Sequence, residues 1–328
     1  MRERDRKIDY LRVLGTILIV LDHVEVSDPV LAFCRFDVPL LVFISGCSAA
    51  LSESGIKSFS GWLLYLWKRI KRLVFPAWIM VAVLVALRFV FSRFLQIDFY
   101  STREILSSFL LLHKGTGYVW IVRVYLMTAA LWPLLKLWSN RVKNPWLFAA
   151  TAACCAVLFY TAVHFIRFRN ALIEDTVFYA VPYGLMVLFG ARVKKESTSG
   201  LILFAAAAAV SVFFAVRMGF VPMLTEVKYP PKASFFVYGA AVSFALWFLL
   251  VLLEKIGALP KLKFVSWLSR NSFTFYLAHT IPISIFNWTK EAGVLPAFLT
   301  PWPVRYLIAF LFAAGFVLLA GRVKRSKQ

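Results

Sequence analysis

The stretch RVLGTILIVLDH, from Arg12 to His23, places an arginine at one end and an Asp-His pair at the other end of an almost unbroken apolar run. Eleven residues separate Arg12 from His23. At about 100° and 1.5 Å per residue they return to within about 20° of one helix face, roughly 16 Å apart along the axis. Asp9, Arg12, Thr16 and His23 therefore form one polar stripe, and Asp9 is near enough to Arg12 to pair with it. Asp22, the immediate neighbour of His23, points about 100° away around the helix. Ionisable groups within a membrane span cost a few kcal/mol each and ask for partners or a water-filled cavity. Two readings of the stripe follow. Asp9 and Arg12 could snorkel into one headgroup layer with His23 at the other, as arginines at helix ends do. A stripe aligned along one face is more economically the wall of a cavity that runs down the helix.

The rest of the chain sets the context. Of its 328 residues 61% are hydrophobic and 16% charged, and apolar runs of about 20 residues, the length that spans a bilayer core, recur throughout. The expected fold class is an all-α polytopic integral membrane protein, one domain over residues 1–328 with no appended soluble domain. Hydropathy gives ten candidate transmembrane helices at about 8–26, 33–51, 73–93, 117–138, 146–166, 176–193, 200–221, 235–254, 270–289 and 302–320. An even number puts both termini on one side. With MRERDRK assigned to the cytoplasm, the loops KSFSGWLLYLWKRIKR, SNRVKN, KKES and EKIGALPKLK and the tail GRVKRSKQ fall inside, and these hold the basic excess. Residues 98–116 are too polar to span and are expected as a surface-lying or re-entrant piece on the outer side. The net charge of +21 punctuates apolar segments and does not gather on a soluble face, which excludes nucleic acid as a partner. Cys34, Cys47, Cys154 and Cys155 show no metal spacing, and no metal site is expected.

Further polar features stand out. Lys68, Arg69, Lys71 and Arg72 precede the third span, four cations in five positions. Each alone reads as a topology signal, and together at a helix start they suit the phosphates of a nucleotide-bearing molecule. Ser45-Gly46 in the second span marks a close helix approach. Trp120 and Tyr118 read first as an interfacial aromatic belt. His279 lies about half a span into the ninth apolar run.

Taken in order, these residues resemble acyltransferase family 3, the membrane acyltransferases that modify bacterial cell-surface glycans and related molecules. IDYLRVLGTILIVLDH matches the family's Asp-x-Leu-Arg lead and Arg-x10-His helix through Asp9, Arg12 and His23. FISG matches its Phe-x-x-Ser-Gly, RIKR its Arg-x-x-Arg through Arg69 and Arg72, and SFTFYLAH its late Ser-x-x-x-Tyr-Leu-x-His through Ser272, Tyr276 and His279. Cys47 stands where many members have a Phe, and YVWI lacks the His of the family's His-Leu-Trp-Phe element, with His113 seven residues before Trp120.

The resemblance implies an acyl-CoA-dependent transferase in a bacterial inner membrane. It would move an acyl group, acetyl first among the candidates, from cytoplasmic acyl-CoA to a hydroxyl of a cell-surface polysaccharide or lipid-linked glycan, an O-acetylation of the cell envelope. Arg12 and His23 are the expected catalytic residues, His23 acting as general base or as acyl acceptor. Lys68, Arg69, Lys71 and Arg72 are the expected acyl-CoA-binding residues, and Asp9, Asp22, Ser45, Trp120 and His279 are supporting or acceptor-side. A secondary transporter or flippase of a glycan precursor is the competing reading, for which internal repeats would be expected; none is legible.

Overall fold

The computed structural model describes residues 5–27, 30, 31, 34–51, 58–112, 115–166, 171–194, isolated positions between 200 and 213, and 231–325. The expected seventh span and His113 lie outside the described residues, the former almost wholly. Among those described, all regular structure is helical. The α-helices are α1 (Arg6–Asp22), α2 (Asp37–Leu51), α3 (Phe59–Leu95), α4 (Thr102–Phe109), α5 (Trp120–Arg141), α6 (Pro145–Phe165), α7 (Ala171–Val193), α8 (Ala233–Lys255), α9 (Lys263–Glu291) and α10 (Trp302–Arg325), with 3-10 turns at Thr116–Tyr118 and Ala297–Leu299.

Among the described residues, six helices are long and apolar enough to cross a membrane: α3, α6, α8, the stretch Thr116–Arg141 that includes α5, and Thr176–Val193 and Trp302–Arg322 within α7 and α10. Large apolar side chains such as Ile79, Phe94, Leu134, Leu158, Leu311 and Leu319 stand exposed on them. A water-soluble protein does not tolerate so extensive an apolar exterior, whereas lipid does. Of the four other expected spans, α1 and α2 have 17 and 15 residues, the polar and hydroxyl side chains along α9 lower its mean hydropathy, and the seventh lies almost wholly outside the described residues.

The polarity of the basic segment before the third span predicts a loop leading to a helix start. The segment is instead the interior of α3, which begins at Phe59 and continues unbroken past Pro76 to Leu95. Ser58 caps it, its hydroxyl accepting from the Gly61 N–H at 3.1 Å. Polarity had suggested a loop, but a helix that leaves the lipid remains a helix when capped and amphipathic. Residues 98–116 do hold a short element: α4 opens on a capping box in which Ser101 and Glu104 satisfy each other's backbone N–H groups.

The centre of the bundle is α1 and α2. Helix α1 packs on α2, α8 and α9, and α2 lies along α7. A Cβ at Gly46 would overlap the Val187 carbonyl of α7, and one at Gly190 would overlap the Phe43 carbonyl of α2, so the two backbones touch through reciprocal glycines. This is the close approach that Ser45-Gly46 predicts. Pro39 falls in the first turn of α2, where its missing N–H costs nothing.

Candidate active site

Helices α1, α2, α3, α5 and α9 enclose a cavity of about 680 Å³, within the range of small-molecule sites. Asp9, Arg12 and Thr16 of the α1 stripe line it, as do Ser45 and Ser48 of α2, Arg69 and Arg72 of α3, and Ser269, Arg270, Ser272 and Tyr276 of α9. Asp9, at 3% exposure, is among the most buried charges of the described residues. Its carboxylate accepts from the Ser269 hydroxyl at 2.7 Å. Arg12 donates to Ser269 at 3.3 Å and to Ser48 at 2.7 Å. A guanidinium held by α2 and α9 together cannot sweep through its usual rotamers, so its charge is fixed at the cavity wall.

The basic cluster divides by helical phase. Arg69 and Arg72, three residues apart, line the cavity. Lys68 and Lys71 are exposed, and the Lys71 ammonium lies 5.0 Å from the Trp67 ring. Arg270 adds a cation to the cavity wall from α9. Of the two facing carboxylates, Asp9 accepts from Ser269, which in turn accepts from Arg12, and Asp5 pairs with Lys194 and Lys7. Burial alone would raise the Asp5 carboxyl, but its bonds to Lys194 and Lys7 hold it below the ordinary value. The mouth is therefore cationic in sum and suited to an anionic ligand.

His23 lies beyond the cavity. It follows the last residue of α1, about 10 Å up the axis from Thr16 by the helix rise, and its ring stacks on Tyr118 with centroids 3.8 Å apart. The His23 Nδ1 is 2.9 Å from the His279 Nε2. The His279 Nδ1 meets the Tyr276 carbonyl, and the Tyr276 hydroxyl donates to the Tyr118 carbonyl. Tyr276, which lines the cavity, thus also braces the His23 platform. Ser45 turns its hydroxyl onto the Val42 carbonyl at 2.6 Å while still lining the cavity. Trp120 is buried away from it, with its ring 5.6 Å from Tyr179 and 6.5 Å from Tyr183. Asp22 ends α1, half-buried.

The structure brings His23 and His279 together, and Asp9, Arg12, Ser45, Arg69 and Arg72 into one cavity; Lys68, Lys71 and Trp120 face elsewhere. Sequence reasoning missed Ser48, Ser269 and Arg270. The signals were present as small hydroxyls one helical turn before or after a singled-out serine, Ser48 after Ser45 and Ser269 before Ser272. Among the described residues no group of three or more His, Cys, Asp or Glu could hold a metal ion.

Among the described residues, an all-helical, apolar-surfaced bundle around a cationic cavity, with an imidazole pair past one end of it, defines a polytopic membrane protein with an internal polar cavity. The acyltransferase-domain model of acyltransferase family 3 matches residues 5–322, and the chain belongs to that family. No curated protein and no solved structure matches it significantly.

Proposed function

We propose that the protein is an O-acyltransferase of a bacterial inner membrane that takes an acyl group, acetyl first, from cytoplasmic acyl-CoA and delivers it to a hydroxyl of a cell-surface polysaccharide or lipid-linked glycan. The observation that carries this reading is the cavity on which Arg12, Arg69, Arg72 and Arg270 converge. Arg69 and Arg72 hold the donor's phosphates at the mouth, where guanidinium forks match phosphate oxygens. The slender pantetheine arm passes Arg12 and Thr16 and presents its thioester towards His23. The proposed topology is ten spans with both termini cytoplasmic and the whole chain as one integral domain.

At the far end His23 acts as general base. The acceptor hydroxyl oxygen attacks the thioester carbonyl carbon as a ring nitrogen of His23 takes its proton, the C–S bond breaks, and the imidazolium returns the proton to the departing thiolate. Arg12, held by Ser48 and Ser269, supplies fixed positive charge on the donor's path.

The test is saturable binding and turnover of radiolabelled acetyl-CoA by purified full-length protein. His23→Ala is expected to lower turnover by about 10²–10⁴-fold with donor binding intact. The Arg69→Ala/Arg72→Ala double variant is expected to raise the acetyl-CoA concentration needed for half-saturation. Full activity in His23→Ala removes the base; failure to bind any acyl-CoA removes the reaction.

A further inference from the structure

His279 is fully buried, one helical turn from Tyr276 on α9, and its position is set by two contacts on opposite edges of its ring. One edge, Nδ1, meets the Tyr276 carbonyl. A carbonyl oxygen only accepts, so the proton must sit on Nδ1; an unprotonated Nδ1 would set one lone pair against another. The other edge, Nε2, lies 2.9 Å from the His23 Nδ1. The two ring planes are parallel to within 3° and their centroids are 5.2 Å apart, larger than the 2.9 Å N···N distance by about a ring width, as two rings meeting edge to edge require. The nitrogens therefore point at each other in a common plane, as a linear N–H···N bond requires.

These contacts fix the protons in sequence. With its one proton on Nδ1, neutral His279 offers a lone pair at Nε2, and only a donor can face it. His23 must then carry its proton on Nδ1, which leaves His23 Nε2 unprotonated on the ring edge turned away from His279. A charged His279 would reverse the bond, but an imidazolium in a fully buried position costs several kcal/mol unless it is paired.

We propose that His279 is the positioning residue that selects the His23 tautomer, through the chain Tyr276 carbonyl, His279, His23, so that His23 Nε2 is the base. The inference rests on the reading of His23 as the reacting imidazole and gives His279 a different role from polarising the thioester or contacting the acceptor. The chain also serves the charged intermediate. When Nε2 takes the hydroxyl proton, Nδ1–H keeps donating to His279, so neither ring needs to turn. The Tyr118 face stacked on His23 offers the new cation an aromatic surface. A neutral residue holding a catalytic imidazole in one tautomer performs the orienting part of the third member of a hydrolase triad without adding a buried charge.

The experiment is ¹⁵N NMR of histidine-labelled full-length protein in nanodiscs with His113 and His164 replaced by Gln, which leaves His23 and His279 as the two imidazoles observed. The expected result is protonated Nδ1 and unprotonated Nε2 on both rings, with the His23 preference lost in His279→Leu. A His23 proton on Nε2 in the parent protein overturns the proposal, whether or not acyl transfer is detected, so its failure is separable from failure of the functional reading. In turnover assays His279→Leu is expected to lose about 10²–10⁴-fold in kcat with acetyl-CoA KM unchanged, while His279→Gln, whose amide oxygen can accept from His23 Nδ1–H, recovers most of it. Equal activity of the Leu and Gln variants, both folded and both binding acetyl-CoA, overturns the relay.

Discussion

Glu25 and Tyr118 hold φ at +54° and +56°, in the left-handed region that disfavours any side chain beyond glycine by about 1–2 kcal/mol. At both positions the side chain makes a specific contact. Tyr118 stacks on His23. Glu25, in the turn just after α1, accepts from Lys290 at the end of α9 and from Arg305 of α10, both at 2.8 Å. The hydrogen bonds from Arg305 and Lys290 hold the Glu25 carboxyl below its ordinary value of 4.5. A carboxyl depressed in the folded state stabilises fully above the ordinary value, and the stabilisation is lost as pH falls through the folded value. Glu25→Gln is therefore expected to melt lower than the parent at neutral pH, by at most about 1 kcal/mol since the glutamate side chain is 49% exposed, with the gap closing in acid. A gap independent of pH would trace the loss to something other than the carboxylate. At this scale the sequence displayed the stripe but not its partners. Asp9, Arg12 and His23 share a face by arithmetic, whereas Ser269 and His279 reach them from more than 250 residues away, and periodicity carries no information about such distant encounters.

Gly46 and Gly190 let α2 and α7 approach until each helix meets the other's carbonyls. Gly46→Ala or Gly190→Ala would have to push the two backbones apart, an overpacking cost of about 1–3 kcal/mol. Either change is expected to lower the melting temperature and to disturb the cavity wall that α2 provides. Gly315→Ala, in α10 with nothing within 4 Å of the added methyl, is the matched control and is expected to be neutral or slightly stabilising. Equal loss in all three would make the effect one of helix composition and not of contact. Ser45-Gly46 was legible as a contact because a small residue in an apolar helix has few other uses. The length of α3 was not, since hydropathy registers where lipid ends, not where the helix does. The division of its cluster was present all along in the three-residue spacing of Arg69 and Arg72, which repeats one position out of phase in Lys68 and Lys71.

The molecule has two chemically different ends. At one, Arg6 donates to the Leu259 carbonyl and Lys7 pairs with Glu254, beside the arginines of the cavity mouth. At the other, Glu25 joins Lys290 and Arg305, and Arg88 grips Glu291 with both guanidinium nitrogens at 2.7 and 2.8 Å. Helix α9 runs between them, and its 29 residues measure about 44 Å, more than a bilayer core of about 30 Å. The proposed reaction needs this polarity, because the donor is cytoplasmic and the glycan is not. Among the described residues, the loop EKIGALPKLK and Lys194 lie at the arginine end, through Glu254 with Lys7, Leu259 with Arg6, and Lys194 with Asp5, and the proposed topology makes that end the cytoplasmic face that the positive-inside rule asks for. Single cysteines in a background lacking the four native ones test it. Lys261→Cys lies beside Leu259 at the arginine end, and Arg103→Cys lies on α4 between Ser101 and Glu104, which share a cleft with Arg88 and Glu291. A membrane-impermeant maleimide is expected to label position 103 in spheroplasts and position 261 only after lysis. The reverse pattern would turn the arginine mouth outwards and remove cytoplasmic acyl-CoA as donor. Labelling of both from outside would mean that α9 does not cross, and the His23 end would then have no separate compartment in which to meet its acceptor.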